Sequence, residues 1–379
     1  MEYIYDIILY LLVFLASSIL MYYGLSISKK SKFGFLLIVA SILIPSIMAG
    51  IRYDVGVDYF PYLGMYENAV NGSPIYYRSI EPLSTGIIVL SSYLHSSFFM
   101  FFLFSLITNS CFYLAFQRIF KKNSGQTSVA FFLYLCILFS TSLNAVRSGV
   151  AISVVALAFS YLIQEWSKKA VTKSLLLVIV ACLFHSSAFL AFVFYPVFWM
   201  SSASFKHNQS FKKGLLFIAY VIVAILTPQI VSLFGDSLLF DEYGKYLLNV
   251  GSSFSIPLAD ILMSIFAIWS FIVLRRKISD EWMVRLSYCM IFYIPLSIVV
   301  GWLTVSAGLS RITFMLEFLV ICGMAYHIIH SKKNSLPGLI TILLVIAITG
   351  SMFMRNLNWS GALPYKTIFQ NEVSYASEN

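Results

Sequence analysis

The sequence predicts an all-α, polytopic membrane bundle of about 12–13 segments, one of them a short half-inserted helix. Three observations carry this. Of 379 residues, 60% are hydrophobic and 11% charged, too few polar side chains to cover a water-facing surface. The apolar runs are continuous rather than alternating, which disfavours a β-barrel. The basic residues gather in alternate loops, as orientation in a membrane requires.

The spans follow in order, each near the ~20 residues a bilayer demands. They fall at 4–25, 33–51, 98–116, 127–143, 147–164, 173–184 joined to 186–200, 214–233, 257–274, 283–301, 308–329 and 336–353. The first has no basic segment before it and no small-residue cleavage site, so it reads as a span and not a removable signal. Eighteen of the 25 Lys and Arg residues lie in one set of loops, from Lys29, Lys30 and Lys32 to Lys332 and Lys333, which is expected to be cytoplasmic. Keeping both Lys29–Lys32 and Arg118–Lys122 inside requires an even number of crossings between them. Glu81–Leu94 is 14 residues, about 21 Å as a helix and short of the ~30 Å hydrocarbon core. It is therefore expected to be half-inserted on the outer side, where such elements line cavities. The whole chain, 1–379, reads as one domain, with 52–97 an outer loop plus short helix and 234–256 a second outer loop.

A formal charge of +9 does not indicate nucleic acid, because no basic block with interleaved aromatics stands in a soluble segment. The five cysteines lie inside apolar runs without metal-ligand spacing. There is no P-loop, GxGxxG, GxSxG or zinc signature, so no metal or nucleotide cofactor is expected.

The polar residues that break the pattern sit on the outer face. Arg52 ends the second span, Arg147 opens a span in "NAVRSGVAIS", and Arg311 opens another in "SRITFMLEF". Each alone could snorkel to the headgroups. Three together suggest a basic pocket, and guanidinium forks suit phosphate oxygens. Asp58 can cap a short helix with Pro61 in its first turn, placing Tyr59, Tyr62 and Tyr66 on one face. Tyrosines with carboxylates, Asp54 and Glu81 included, suit sugars; they also suit an aromatic belt with a capping acid. His185, in "LFHSSAF", is a candidate general base or a structural hydrogen-bonding residue at a helix turn. Glu317 is a carboxylate at membrane depth, which calls for a cationic partner.

"RYDVGVDYFPY" resembles the Arg-x-x-x-Gly-x-Asp-Tyr-x-x-Tyr motif of the EpsG-like, Wzy-type polysaccharide polymerases. Glu81-Pro82, "NAVRSGVAIS", "LFHSSAF", "SRITFMLEF" and "ALPYK" are similar to further motifs of that family, in its order and over nearly the whole chain. Two positions depart from the family pattern: Ser148 stands where Gln is usual, and Met315-Leu316 where an aromatic pair is commoner. The resemblance implies a GT-C-like, metal-independent glycosyltransferase of the bacterial plasma membrane. Such enzymes join repeat units carried on undecaprenyl diphosphate at the outer leaflet, inverting the anomeric centre. Donor and acceptor would both be lipid-linked glycans, and a chain-length regulator is a candidate partner. On this reading Arg147 and Arg311, with Arg52, stabilise the departing diphosphate. His185 is the first candidate base and Asp58 the second. Asp54, Tyr59, Tyr62, Glu81, Asn144, Glu317 and Tyr365 line the substrate site. The competing expectations are a flippase for the same lipid-linked glycan and a membrane acyltransferase acting on polysaccharide.

Overall fold

In lipid a backbone N–H finds no water, so apolar runs fold as helices that satisfy their own hydrogen bonds. The computed structural model describes residues 3–28, 31–75, 81–202, 257–275, 281–295, 297, 307–331 and 335–370. The helices are α1 (Ile4–Ile27), α2 (Lys32–Ile51), α3 (Tyr59–Val70), α4 (Pro82–Tyr93), α5 (Ser97–Ile119), α6 (Ser124–Asn144), α7 (Val146–Gln164) and α8 (Lys168–Phe184). A 3-10 helix (Ser186–Phe194) follows, then α9 (Tyr195–Ser202), α10 (Leu258–Arg275), α11 (Glu281–Ile291), α12 (Ala307–His330) and α13 (Leu336–Trp359). Seven helices among the described residues are long and apolar enough to cross a membrane: α1, α2, α5, α6, α7, the Thr313–His330 part of α12, and α13. The protein is a multi-pass, all-α membrane bundle.

The run 173–200 breaks at His185, the expected junction of its two pieces, where α8 ends and the 3-10 helix begins. α4 has 12 residues, about 18 Å of rise, too short to span. The expected span 214–233 and loop 234–256 lie outside the described residues, as do 296 and 298–301 beyond α11.

The chain forms two compact units. The first comprises Met1–Ser160, Lys173–Phe189 and Thr349–Asn379; the second comprises Tyr161–Thr172 and Leu190–Ile348. In the first, α6 is central, with 83% of its apolar window buried, whereas α1 buries 28% and leaves Leu12, Leu15 and Ile19 facing outward. α1 and α2 cross closely at Gly24, where a Cβ would meet the Gly34 carbonyl oxygen at 2.9 Å. Polar side chains tie the inner helices together, as small and polar residues do where lipid supplies no hydrophobic drive. Asn109 on α5 donates to Ser46 Oγ on α2 (2.9 Å) and accepts from Tyr134 OH on α6 (2.7 Å).

In the second unit, Arg285 on α11 caps a helix end. Its Nε donates to Ile163 O (2.7 Å) and its Nη2 to Gln164 O, the last carbonyls of α7, where a cation also complements the helix dipole. Tyr293 OH donates to Asp260 Oδ1 (2.7 Å), and His327 Nε2 lies 2.9 Å from Ser270 Oγ. His327 and its neighbour His330 are thus packing residues at a span end, with the His330 ring stacked on Tyr326 at 4.2 Å.

Candidate functional site

The loop from Arg52 to Asp58 cannot continue α2, because its sequence calls for turns. Gly56 adopts φ +102°, a conformation other residues avoid, and a Cβ there would also meet the Leu143 carbonyl oxygen at 3.2 Å. The loop is pinned on two sides. At the end of α6, Asn144 Oδ1 accepts from the Asp58 N–H (2.8 Å). Along its length runs the tail beyond α13. Tyr53 N donates to Lys366 O (2.9 Å), Gly56 N to Gly361 O (2.8 Å) and Val57 N to Ser360 O (3.1 Å), with an antiparallel bridge between Arg52 and Thr367. Tyr365 anchors that tail: its OH donates to Met48 O (2.7 Å) and its N–H to Asp6 Oδ2 (3.2 Å). Tyr10 OH adds a bond to Ala362 O (3.0 Å). Asp54 pairs with Lys366 at 3.0 Å on the surface, both side chains more than 40% exposed. Such a pair contributes about 0–1 kcal/mol.

α3 begins after Asp58, at the cap position read from the sequence, but the Asp58 side chain makes no cap hydrogen bond. Tyr59 and Tyr62 turn inward and are buried, while Tyr66 is half-buried. One ring face of Tyr59 is covered by Phe101 of α5, stacked at 5.0 Å and 17°. Burial pushes the Tyr59 phenol up to about 12, so it remains a protonated donor.

Arg52 lies beneath this aromatic layer. It is 1% exposed, with its guanidinium carbon 4.5 Å from the Phe101 ring centroid and 5.9 Å from that of Tyr59. Among the described residues, none of its three guanidinium nitrogens has a hydrogen-bond partner. Burial lowers the group to about 10, against the pull of the Tyr10, Tyr59, Tyr365 and Tyr62 phenols, so it keeps its charge at neutral pH. A fully buried cation held by aromatic faces alone is costly.

Arg147 opens α7 with its guanidinium carbon 5.8 Å from the Tyr62 ring. Tyr62 also interacts electrostatically with Arg52. Arg147 Nη1 donates to Glu81 Oε2 at 2.8 Å, with side-chain exposures of 19% and 13%. The other carboxylate oxygen of Glu81 accepts from the Ser186 N–H, also at 2.8 Å. Glu81 occupies the cap position of α4, yet it does not cap that helix. It bridges the starts of α4, α7 and the 3-10 helix instead. Ser84 Oγ, donating to Phe184 O (2.7 Å), holds α4 and the end of α8 together beside it. His185, buried at the same turn, accepts from the Ser187 N–H at Nδ1 (3.1 Å). An accepting Nδ1 bears no proton, so the neutral ring carries its proton on Nε2.

Ten of the sequence-derived candidates therefore share the first unit: Arg52, Asp54, Asp58, Tyr59, Tyr62, Glu81, Asn144, Arg147, His185 and Tyr365. Arg52, Tyr59, Tyr62, Arg147 and Glu81 form one connected cluster, with Asn144 and Tyr365 bracing its loop. Arg311 and Glu317 belong to the second unit, on α12; Glu317 is fully buried. Sequence reasoning missed Phe101, Tyr10 and the Ser186 N–H. Tyr10 shares its span with Tyr5, Ser17, Ser18, Tyr22 and Tyr23, so its hydroxyl gave no distinct signal.

A family model described as the EpsG family matches residues 35–367. No curated protein and no solved structure matches the chain.

Proposed function

The chain belongs to the EpsG family, and on that footing we propose that it is a polysaccharide repeat-unit polymerase of the bacterial plasma membrane. Family membership suggests a polymerase-like role in the membrane; the substrate and mechanism are our reading. The substrates are oligosaccharides carried on undecaprenyl diphosphate at the outer leaflet. The growing glycan passes from its lipid diphosphate to a hydroxyl of the next lipid-linked unit, with inversion and without a metal.

The observation that carries this reading is the pair of arginines that both interact with Tyr62, one paired and one buried without a hydrogen-bond partner among the described residues. As the glycosidic bond breaks, negative charge develops on the diphosphate. Fixed cations in a dry site stabilise such charge at no reorganisation cost, a contribution that often dominates catalysis. Arg147 is partly exposed and offers a guanidinium fork to the phosphates. Arg52 is enclosed and acts through its field, one aromatic layer below. Asp54, Asp58 and the exposed edge of α3 suit sugar hydroxyls.

Purified protein in lipid nanodiscs, given lipid-linked repeat units, should convert them to a ladder of longer glycans. Movement of the lipid-linked unit without bond formation would instead identify a flippase, and acyl incorporation an acyltransferase.

A further inference from the structure

Glu81 joins Arg147 to the start of the 3-10 helix. Its two oxygens face the two kinds of donor that bind phosphate: a guanidinium, Arg147 Nη1, and a backbone N–H at a helix start, Ser186. The contacts are both 2.8 Å, and both side chains retain some exposure. The carboxylate is tethered only by its own backbone at the start of α4, where it caps nothing. Beside it, His185 directs Nδ1 at the Ser187 N–H and so presents a donor, not an acceptor, at Nε2.

We propose that Glu81 is a displaceable place-holder that becomes the general base. This rests on the polymerase reading. When a lipid diphosphate reaches Arg147, its oxygens replace the Glu81 carboxylate on the guanidinium and on the Ser186 N–H. Two anions cannot share one fork, so the carboxylate swings away from the phosphates, toward the incoming sugar. In the transfer step the acceptor oxygen attacks the anomeric carbon. The new carbon–oxygen bond forms as the bond to the phosphate oxygen breaks. The acceptor's proton passes to the Glu81 carboxylate, and the lipid diphosphate leaves as an anion held by Arg147. The exchange couples the two halves of catalysis: the base is released only when the leaving group is seated.

The test compares the wild type with Glu81→Gln. The amide keeps the side chain's shape and one of the two accepting oxygens, its NH2 facing the other donor, and it cannot take a proton; accumulation of the variant in the membrane checks that the fold is kept. Two quantities are measured in nanodiscs: turnover of lipid-linked repeat units, and binding of a sugar-free polyprenyl diphosphate. The expected result is turnover lowered about 10²–10⁴-fold, with the diphosphate bound as tightly as by wild type or tighter, because a neutral amide competes less for Arg147. Turnover within a few-fold of wild type would overturn the base role. Diphosphate binding weakened in parallel with turnover would show that Glu81 merely aims Arg147, and would overturn the exchange. Failure of the polymerase reading has a separate signature, wild-type protein that forms no ladder; the exchange then stands or falls on the binding measurement alone.

Discussion

Arg147→Ala should eliminate long glycans while the protein still inserts and accumulates in the membrane. The expected loss is about 10²–10³-fold in polymerisation rate, the scale seen when one preorganised donor to a developing oxyanion is removed. Arg147→Lys should recover little of it. A lysine keeps the charge but not the planar fork that grips two phosphate oxygens at once. The structural complication is Glu81, which loses a partner at 2.8 Å in this variant and is left partly buried with its charge uncompensated. The double variant Arg147→Ala/Glu81→Ala removes both charges and should restore accumulation without restoring polymer. If it restores polymer as well, Arg147 serves only to neutralise Glu81 and is no clamp.

Arg52→Met should separate stability from function. Methionine matches the length of the arginine stem and removes a charge that is 1% exposed and, among the described residues, unbonded at all three nitrogens. Replacing buried charge by an apolar side chain of similar volume is commonly neutral or stabilising by about 1–4 kcal/mol. The contact with Phe101 at 4.5 Å offsets part of this gain, by about 0.5–2 kcal/mol for a cation over a ring. Thermal stability in detergent should therefore be unchanged or higher. Polymerisation should fall by at least about tenfold, because a positive field in a low-dielectric site has been lost. A variant that unfolds would make Arg52 a structural keystone of the Tyr10, Tyr59 and Tyr365 cluster. A variant with normal activity would remove it from the site.

The bundle was legible because lipid thickness leaves a chain few choices. Runs of about 20 apolar residues must be helices, and the ends of α2, α5, α6, α7, α12 and α13 fall within a few residues of the runs except where α13 extends to Trp359. The short α4 was legible from the sign of the loops on either side of it. Within the site, Arg52, Tyr62, Glu81 and Arg147 carry chemistry that stands out against an apolar background. Their meeting about one tyrosine follows from tertiary contacts that the sequence does not encode locally.

Three features were not legible for identifiable reasons. The tail binds the 52–58 loop through backbone groups, at Tyr53, Gly56 and Val57, which leave no side-chain signature. Phe101 is one of many phenylalanines in α5, and nothing in its neighbours marks it as the ring against Arg52. The partner of Glu81 on the 3-10 helix is an amide N–H, available at any residue, and only the break at His185 turns it toward the carboxylate.

The most direct measurement is a cryo-EM structure with a polyprenyl diphosphate bound. The expected result is phosphate density against the Arg147 guanidinium and the Ser186 N–H, beside Tyr62, with the Glu81 carboxylate moved off both. Phosphates seated elsewhere, with Glu81 still on Arg147 and Ser186, would contradict it.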